Sequence, residues 1–187
     1  MQALSLVPHP STPATPVQAV VATLEAGPGG SLEYTVRIEA PRQALAWPAS
    51  RPAAFRDELW RHTCVELFAR ADEEAYREFN FSPSSEYALY DFDGYRSGMR
   101  PVPASRGPVI RWREEREAMT INTLIPGELF EVHRRTPSAL ALAAVIETLD
   151  GRQSFWALHH PARKPDFHHR DGFILHWPAS RPQEPVA

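Results

Sequence analysis

The chain predicts an all-β fold, an antiparallel sandwich or barrel of roughly nine to eleven short strands, with helix confined to one or two turns. Three observations carry this. Several segments alternate apolar and polar residues with period two, so each presents two unlike faces. Runs of turn-forming residues recur about every ten positions between them. Nineteen of the 187 residues are proline, about twice the ordinary share, which suits turns and edges and works against long helices.

In order, residues 1–16 form a proline-rich N-terminal arm, extended or packed along an edge, before a single sandwich domain over 17–178 and a tail over 179–187. Val17 to Glu25 reads as the first strand. Gly27-Pro28-Gly29-Gly30 is a tight turn, and Ser31 to Ala40 follows as the clearest half-exposed strand, with Leu32, Tyr34, Val36 and Ile38 alternating with polar residues. Pro41 to Glu58 is a long connection with room for a helical turn at Ala53 to Leu59. Thr63 to Arg70, Tyr76 to Ser82 and Glu86 to Phe92 are three consecutive strands. After a Gly- and Pro-rich loop, Val109 to Glu114 and Met119 to Ile125 form a hairpin, and Gly127 to Arg134 is a second candidate helix. Ala139 to Leu149 is almost wholly apolar and reads as a central strand buried on both faces, although its alanines keep helix open. Asp150-Gly151 turns the chain into Gln153 to His159, and Phe173 to Trp177 closes the sheet. Val65, Leu67, Phe79, Phe81, Ile121 and Val145 are the expected core.

The stretch from Leu59 to Tyr95 carries the candidate site. One face of its strands is ordinary core. The other gathers Trp60, His62, Glu66, Glu78 and Asn80. Buried carboxylates cost several kcal/mol unless paired, so this mixture is poor core material. It suits a surface that holds a polar ligand against an aromatic ring, since a pyranose stacks its C–H patches on indole and offers hydroxyls to carboxylate and amide. For Trp60 to join Glu66, it should continue the strand pairing on the same face. The plain alternative makes Trp60 a rim residue of the core and pairs Glu66 with Arg70 or Arg77.

The polar, proline-pinned segment Lys164 to Asp171 suits an ordered loop that completes the site, with His168, His169 or Arg170 reaching the ligand and Trp156 as a second stacking ring. Asp166 and Asp171 would hold the loop through backbone amides or Arg170. A contacting imidazole, with its unperturbed pKa near 6.5, would make binding depend on pH between roughly 5.5 and 7.5. Neighbouring histidines point apart, and His159, His160, His168 and His169 show no zinc-site spacing, so no metal is assigned.

Trp60 followed six residues later by Glu66, the run YREFNFSP at Tyr76 to Pro83, and the segment SFWALHHPARKPDFHHRDGFIL at Ser154 to Leu175 together resemble DOMON-like domains related to carbohydrate-binding module family nine. The matching pieces span Leu59 to Leu175. The resemblance implies an antiparallel β-sandwich of jelly-roll type that binds a sugar or, in some relatives, haem.

The remaining function classes narrow by exclusion. A net charge of −3 provides no basic field for nucleic acid. No apolar run approaches the roughly 20 residues of a membrane span, and the N-terminus lacks the pattern of a signal peptide, so a bacterial cytoplasmic protein is expected. Cys64 has no partner for an internal disulfide. There is no GxSxG, P-loop, GxGxxG or CxxC motif. The expected function is non-catalytic binding of a small ligand, most simply a sugar. One alternative is a haem-binding electron-transfer domain, for which Met99 and Met119 are candidate ligands. The other is a small glycoside hydrolase using Glu66 and Glu78. No cofactor is expected, with haem or a structural calcium as the groups to test.

Overall fold

The computed structural model describes residues 3–12, 16–72, 74–132 and 135–177. The expected tail at 179–187, and the end of the second candidate helix at Arg134, lie outside the described residues. Among the described residues, twelve antiparallel strands make up the fold: β1 (Leu4–Pro8), β2 (Ala19–Ala26), β3 (Leu32–Glu39), β4 (Cys64–Arg70), β5 (Tyr76–Phe81), β6 (Tyr87–Phe92), β7 (Arg100–Pro101), β8 (Val109–Glu114), β9 (Ala118–Ile125), β10 (Ala139–Glu147), β11 (Gln153–Ala157) and β12 (Leu175–His176). The only α-helix among the described residues is α1 (Gly127–Phe130), one turn of the longer segment expected there.

The strands run in the order β7-β6-β5-β4-β10-β11-β1-β2-β3-β9-β8, with β12 added at the end of β10. The curl comes at β1. Its first residues, Leu4 to Leu6, pair with β2, while Val7 and Pro8 pair with β11. This strand therefore passes from one layer of the sandwich to the other. The proline-rich segment expected as an arm thus contributes a paired strand, because its Leu6 side chain completes the core between the layers.

The core follows from alternation. Val36 and Ile38 of β3, Val65 and Leu67 of β4, Phe79 and Phe81 of β5, and Ile121 of β9 all point between the layers and are fully buried. Residues of the expected core are buried at all six positions, but Val145 lies on the other face of β10, opposite Cys64. That strand divides cleanly. Leu140, Leu142, Ala144 and Ile146 enter the core, while Ala139, Ala141 and Ala143 face outward into a second cluster and Val145, on the same face, lines a cavity beside it. The outward alanines lie opposite Arg70, Phe68 and Glu66 of β4. Their small side chains leave volume above the sheet for larger groups from neighbouring strands. Alternating burial against two different clusters also settles the segment as a strand.

Candidate functional site

The second cluster lies on the outer face of β4, β5, β6, β10 and β11, and the chain from Pro165 to Phe173 folds over it. Period-two geometry puts Cys64, Glu66 and Phe68 of β4, Tyr76, Glu78 and Asn80 of β5, and Ala88, Tyr90 and Phe92 of β6 on this face. Register sets their neighbours: Glu66 lies opposite Asn80, Glu78 opposite Phe68 and Tyr90, and Ala143 on the far side of Glu66. Between the sheet and the covering loop is a cavity of about 310 Å³. That is at the lower end of the range for small-molecule sites, about 300–1,000 Å³. Glu66, Glu78 and Val145 line its floor, with Trp60, Phe92 and Phe155 around them. Phe167, His168 and Pro165 come from the covering loop, and Arg96 and Met99 from the connection between β6 and β7.

Trp60 reaches the cavity by a different route from the one expected. It does not continue β4. A 3₁₀ turn at Leu59–Arg61 follows Glu58, which adopts a left-handed backbone with φ 61°, and the chain becomes extended again at His62. The turn lays the half-buried indole edge-on against Tyr90, ring centroids 5.6 Å apart. In place of the helical turn expected at Ala53 to Leu59, the chain between β3 and β4 carries 3₁₀ turns at Arg42–Ala44 and Leu59–Arg61.

The polar floor is nearly sealed. Asn80 Nδ2 donates to Glu78 Oε1 at 2.8 Å, and Cys64 Sγ lies 3.7 Å from Asn80 Oδ1. Glu66 is only 2% exposed, and its Oε1 has no hydrogen-bond partner. Neither arginine named as a plain partner for Glu66 takes that role in the ion pairs of the structure. Arg77 is on the inner face, clamped to Asp91 by Nε–Oδ1 at 2.7 Å and Nη2–Oδ2 at 3.0 Å, and Arg70 lies over the Phe173 ring. Burial, then the neighbouring Glu78 charge, pushes the Glu66 carboxyl well above the usual carboxylate range, opposed by Arg96. Burial also raises Glu78, to about 7, against the stabilising Asn80 hydrogen bond and the Arg96 charge.

His168 closes the cavity from above. Its Nδ1 lies 2.8 Å from the Tyr76 hydroxyl, which also accepts from the backbone N–H of Arg96 at 3.2 Å. Assigning the hydroxyl's single proton to His168 Nδ1 leaves a proton on Nε2, 3.8 Å from Glu78 Oε2. Burial, and next the Arg96 charge, depresses the His168 pKa to about 4. Burial thus puts His168 below the 5.5–7.5 window expected of a contacting imidazole, while Glu78, raised to about 7, falls inside it.

Asp166 anchors the covering loop, accepting from the Tyr95 hydroxyl at 2.7 Å, Arg96 Nη2 at 2.9 Å and the backbone of His168 at 3.2 Å. Arg96 and Tyr95, not Arg170, supply the side-chain donors. His169 turns away and caps the 3₁₀ turn at Arg170–Gly172 through the amide of Asp171. With Arg170 it borders a neighbouring depression of about 650 Å³ that also touches Tyr76, Tyr95 and Phe173. This wider depression contains no buried carboxyl, so the smaller cavity is the better-defined site.

Of the residues expected at the site, the structure brings together Trp60, Glu66, Glu78 and His168, with Asn80 beneath them. It does not bring His62 or Trp156. His62 is exposed and bonds Glu147 Oε2 at 2.8 Å, because the extended backbone after the 3₁₀ turn points it outward. Trp156 is buried between the layers with Nε1 donating to Ser154 Oγ at 2.9 Å. Its neighbour Phe155 takes the ring position at the cavity, as alternation along β11 requires. Phe92 also shares the period-two pattern of its strand and was legible that way. Arg96, in a left-handed conformation with φ 51°, had no sequence signal.

Among the described residues, no three His, Cys, Asp or Glu side chains form a group able to hold a metal ion. Of the two candidate haem ligands, Met119 is sealed in the inter-layer core, while Met99 lines the cavity with His168. No helix among the described residues is long and apolar enough to cross a membrane.

No family model and no curated protein matches the sequence. Among solved structures, the fold is similar to that of a Bacteroides uniformis protein assigned to carbohydrate binding, with a TM-score of 0.63 and 13% identity over 92% of this chain and 84% of that one. At this identity the likeness is one of fold, and it places the chain among antiparallel, sandwich-like all-β proteins.

Proposed function

We propose that the chain is a non-catalytic domain that binds a small carbohydrate in the cavity between Trp60 and His168. The observation that carries this reading is Glu66 Oε1, a buried acceptor without a partner at the floor of an aromatic-lined cavity. A buried polar atom left unpaired destabilises a fold by about 1–3 kcal/mol, so a ligand hydroxyl donating to it would recover that loss. Trp60 offers an apolar face for sugar C–H groups, and the Nε2 proton of His168 would donate to a hydroxyl oxygen. The resemblance to family-nine carbohydrate-binding modules and DOMON-like domains, and the assigned ligand class of the Bacteroides protein, support the same class. The test is calorimetric titration of neutral mono- and disaccharides into wild type and Trp60→Ala. Saturable binding in wild type that weakens in the variant supports the reading, and no binding of any sugar rejects it.

Glycoside hydrolysis is the second reading, favoured by one observation. Glu66 and Glu78 face one cavity as two buried carboxyls, both with raised pKa, the residue types an acid and its partner require. Turnover of chromogenic glycosides by wild type, abolished in Glu78→Gln, would establish it in place of simple binding.

A further inference from the structure

We infer that the ligand carries a positively charged amine, so that the preferred carbohydrate is an amino sugar rather than its neutral parent. This rests on the carbohydrate reading of the same cavity and narrows it.

The charges around the floor are unbalanced. Glu66 projects from β4 and Glu78 from β5, both nearly inaccessible to solvent. The charged groups that face them are few. Arg96 stands at the mouth, where its charge favours ionisation of both carboxyls, but its guanidinium is also bound to Asp166 at 2.9 Å. His168 faces Glu78 from the covering loop and is held neutral by burial. Cys64, beneath Glu66 on β4, has its thiol pushed well up by burial and adds no cation. Asn80, the remaining polar group on the floor, donates to Glu78. Arg96 is thus the one cation among these, shared with Asp166, for two buried carboxyls.

The walls favour a cation as well. Trp60, Phe92, Phe155 and Phe167 line the cavity, and aromatic faces attract ammonium groups, most strongly where water is excluded. An ammonium provides three donors, enough for the unpartnered Glu66 Oε1 and the outer oxygen of Glu78 at once. A neutral hydroxyl provides one donor and leaves the carboxyls to keep their protons. Amine binding therefore draws protons off Glu66 and Glu78 and releases them to solvent, whereas binding of the neutral sugar does not.

The experiment uses the full chain and three matched pairs: glucose and glucosamine, galactose and galactosamine, mannose and mannosamine. Each is titrated calorimetrically near pH 7 in phosphate and in HEPES, whose ionisation heats differ and so report proton release. The expected result is at least tenfold tighter binding of one amino sugar than of its parent, with proton release. That preference should fall to within about twofold in Glu66→Gln, a substitution that keeps shape and removes charge. Glu78→Gln is the second variant should the first fail to fold. A neutral sugar bound as tightly as its amine, or amine binding without proton release, overturns the inference and leaves the carbohydrate reading standing. No binding by any of the six overturns both.

Discussion

The Tyr76 hydroxyl and His168 Nδ1 lie 2.8 Å apart, although 92 residues separate them in the chain. This contact ties the covering loop to the strand that carries Glu78 and Asn80. It also fixes which imidazole nitrogen faces the cavity. The same hydroxyl accepts from the amide of Arg96, so one phenol holds both segments that roof the site.

Tyr76→Phe should therefore cost about 0.5–1.5 kcal/mol, the usual net value of a hydrogen bond. Ligand binding should weaken with it, since the His168 ring is no longer oriented. Denaturant midpoints of the two proteins check the first outcome. A titration with whichever sugar binds checks the second. An unchanged affinity would show that the roof is not held by this phenol.

Two tryptophans should behave in opposite ways. Trp156→Ala removes a ring buried between the layers and should lose about 3–5 kcal/mol of stability. Trp60→Ala removes a half-buried ring at the cavity and should lose less stability, but about 1–3 kcal/mol of binding. Equal effects of both on affinity would contradict the assignment of Phe155, rather than Trp156, to the site.

These tryptophans also show what sequence can and cannot yield. The pattern of β4 and β5 revealed the two-faced sheet, because side chains alternate whatever the rest of the chain does. It placed Glu66, Glu78 and Asn80 together. Alternation along β11 could have chosen Phe155 over Trp156, given the fact that Trp156 lies opposite Ala144, a core residue of β10. Trp60 lines the cavity, but not through strand pairing, since a 3₁₀ turn after a left-handed Glu58 leaves no periodic trace. The paired strand in the proline-rich start and the role of Arg96 were not legible, because β11 and Asp166, which hold them, are remote in sequence.

Stability should fall as pH rises through the neutral range. Glu78 holds its proton up to about 7 in the folded chain, against an ordinary value of 4.5, and burial raises Glu66 well above that ordinary value too. The unfolded chain ionises first, so this contribution is fully present below about 4.5 and is lost as pH climbs through the folded values. Glu66→Gln should shrink the difference in denaturant midpoint between pH 5 and pH 8. An undiminished difference would mean that the carboxyl is not buried in solution.

His168 acts in the opposite direction. Its folded pKa of about 4 lies below the ordinary 6.5, so its contribution is present above 6.5 and is lost as pH falls toward 4. Nitrogen chemical shifts should show a neutral ring with its proton on Nε2 at pH 5.5. A charged imidazole at that pH would contradict the tight roof.

The most direct test of sugar binding at this cavity is to follow the indole N–H resonances of the five tryptophans by two-dimensional NMR while neutral and amino sugars are added. The Trp60 resonance should shift saturably with the bound sugar, those of Trp47, Trp112, Trp156 and Trp177 should stay in place, and the response should vanish in Trp60→Ala. A Trp60 resonance that stays fixed while another indole moves, or that no sugar displaces, would contradict it.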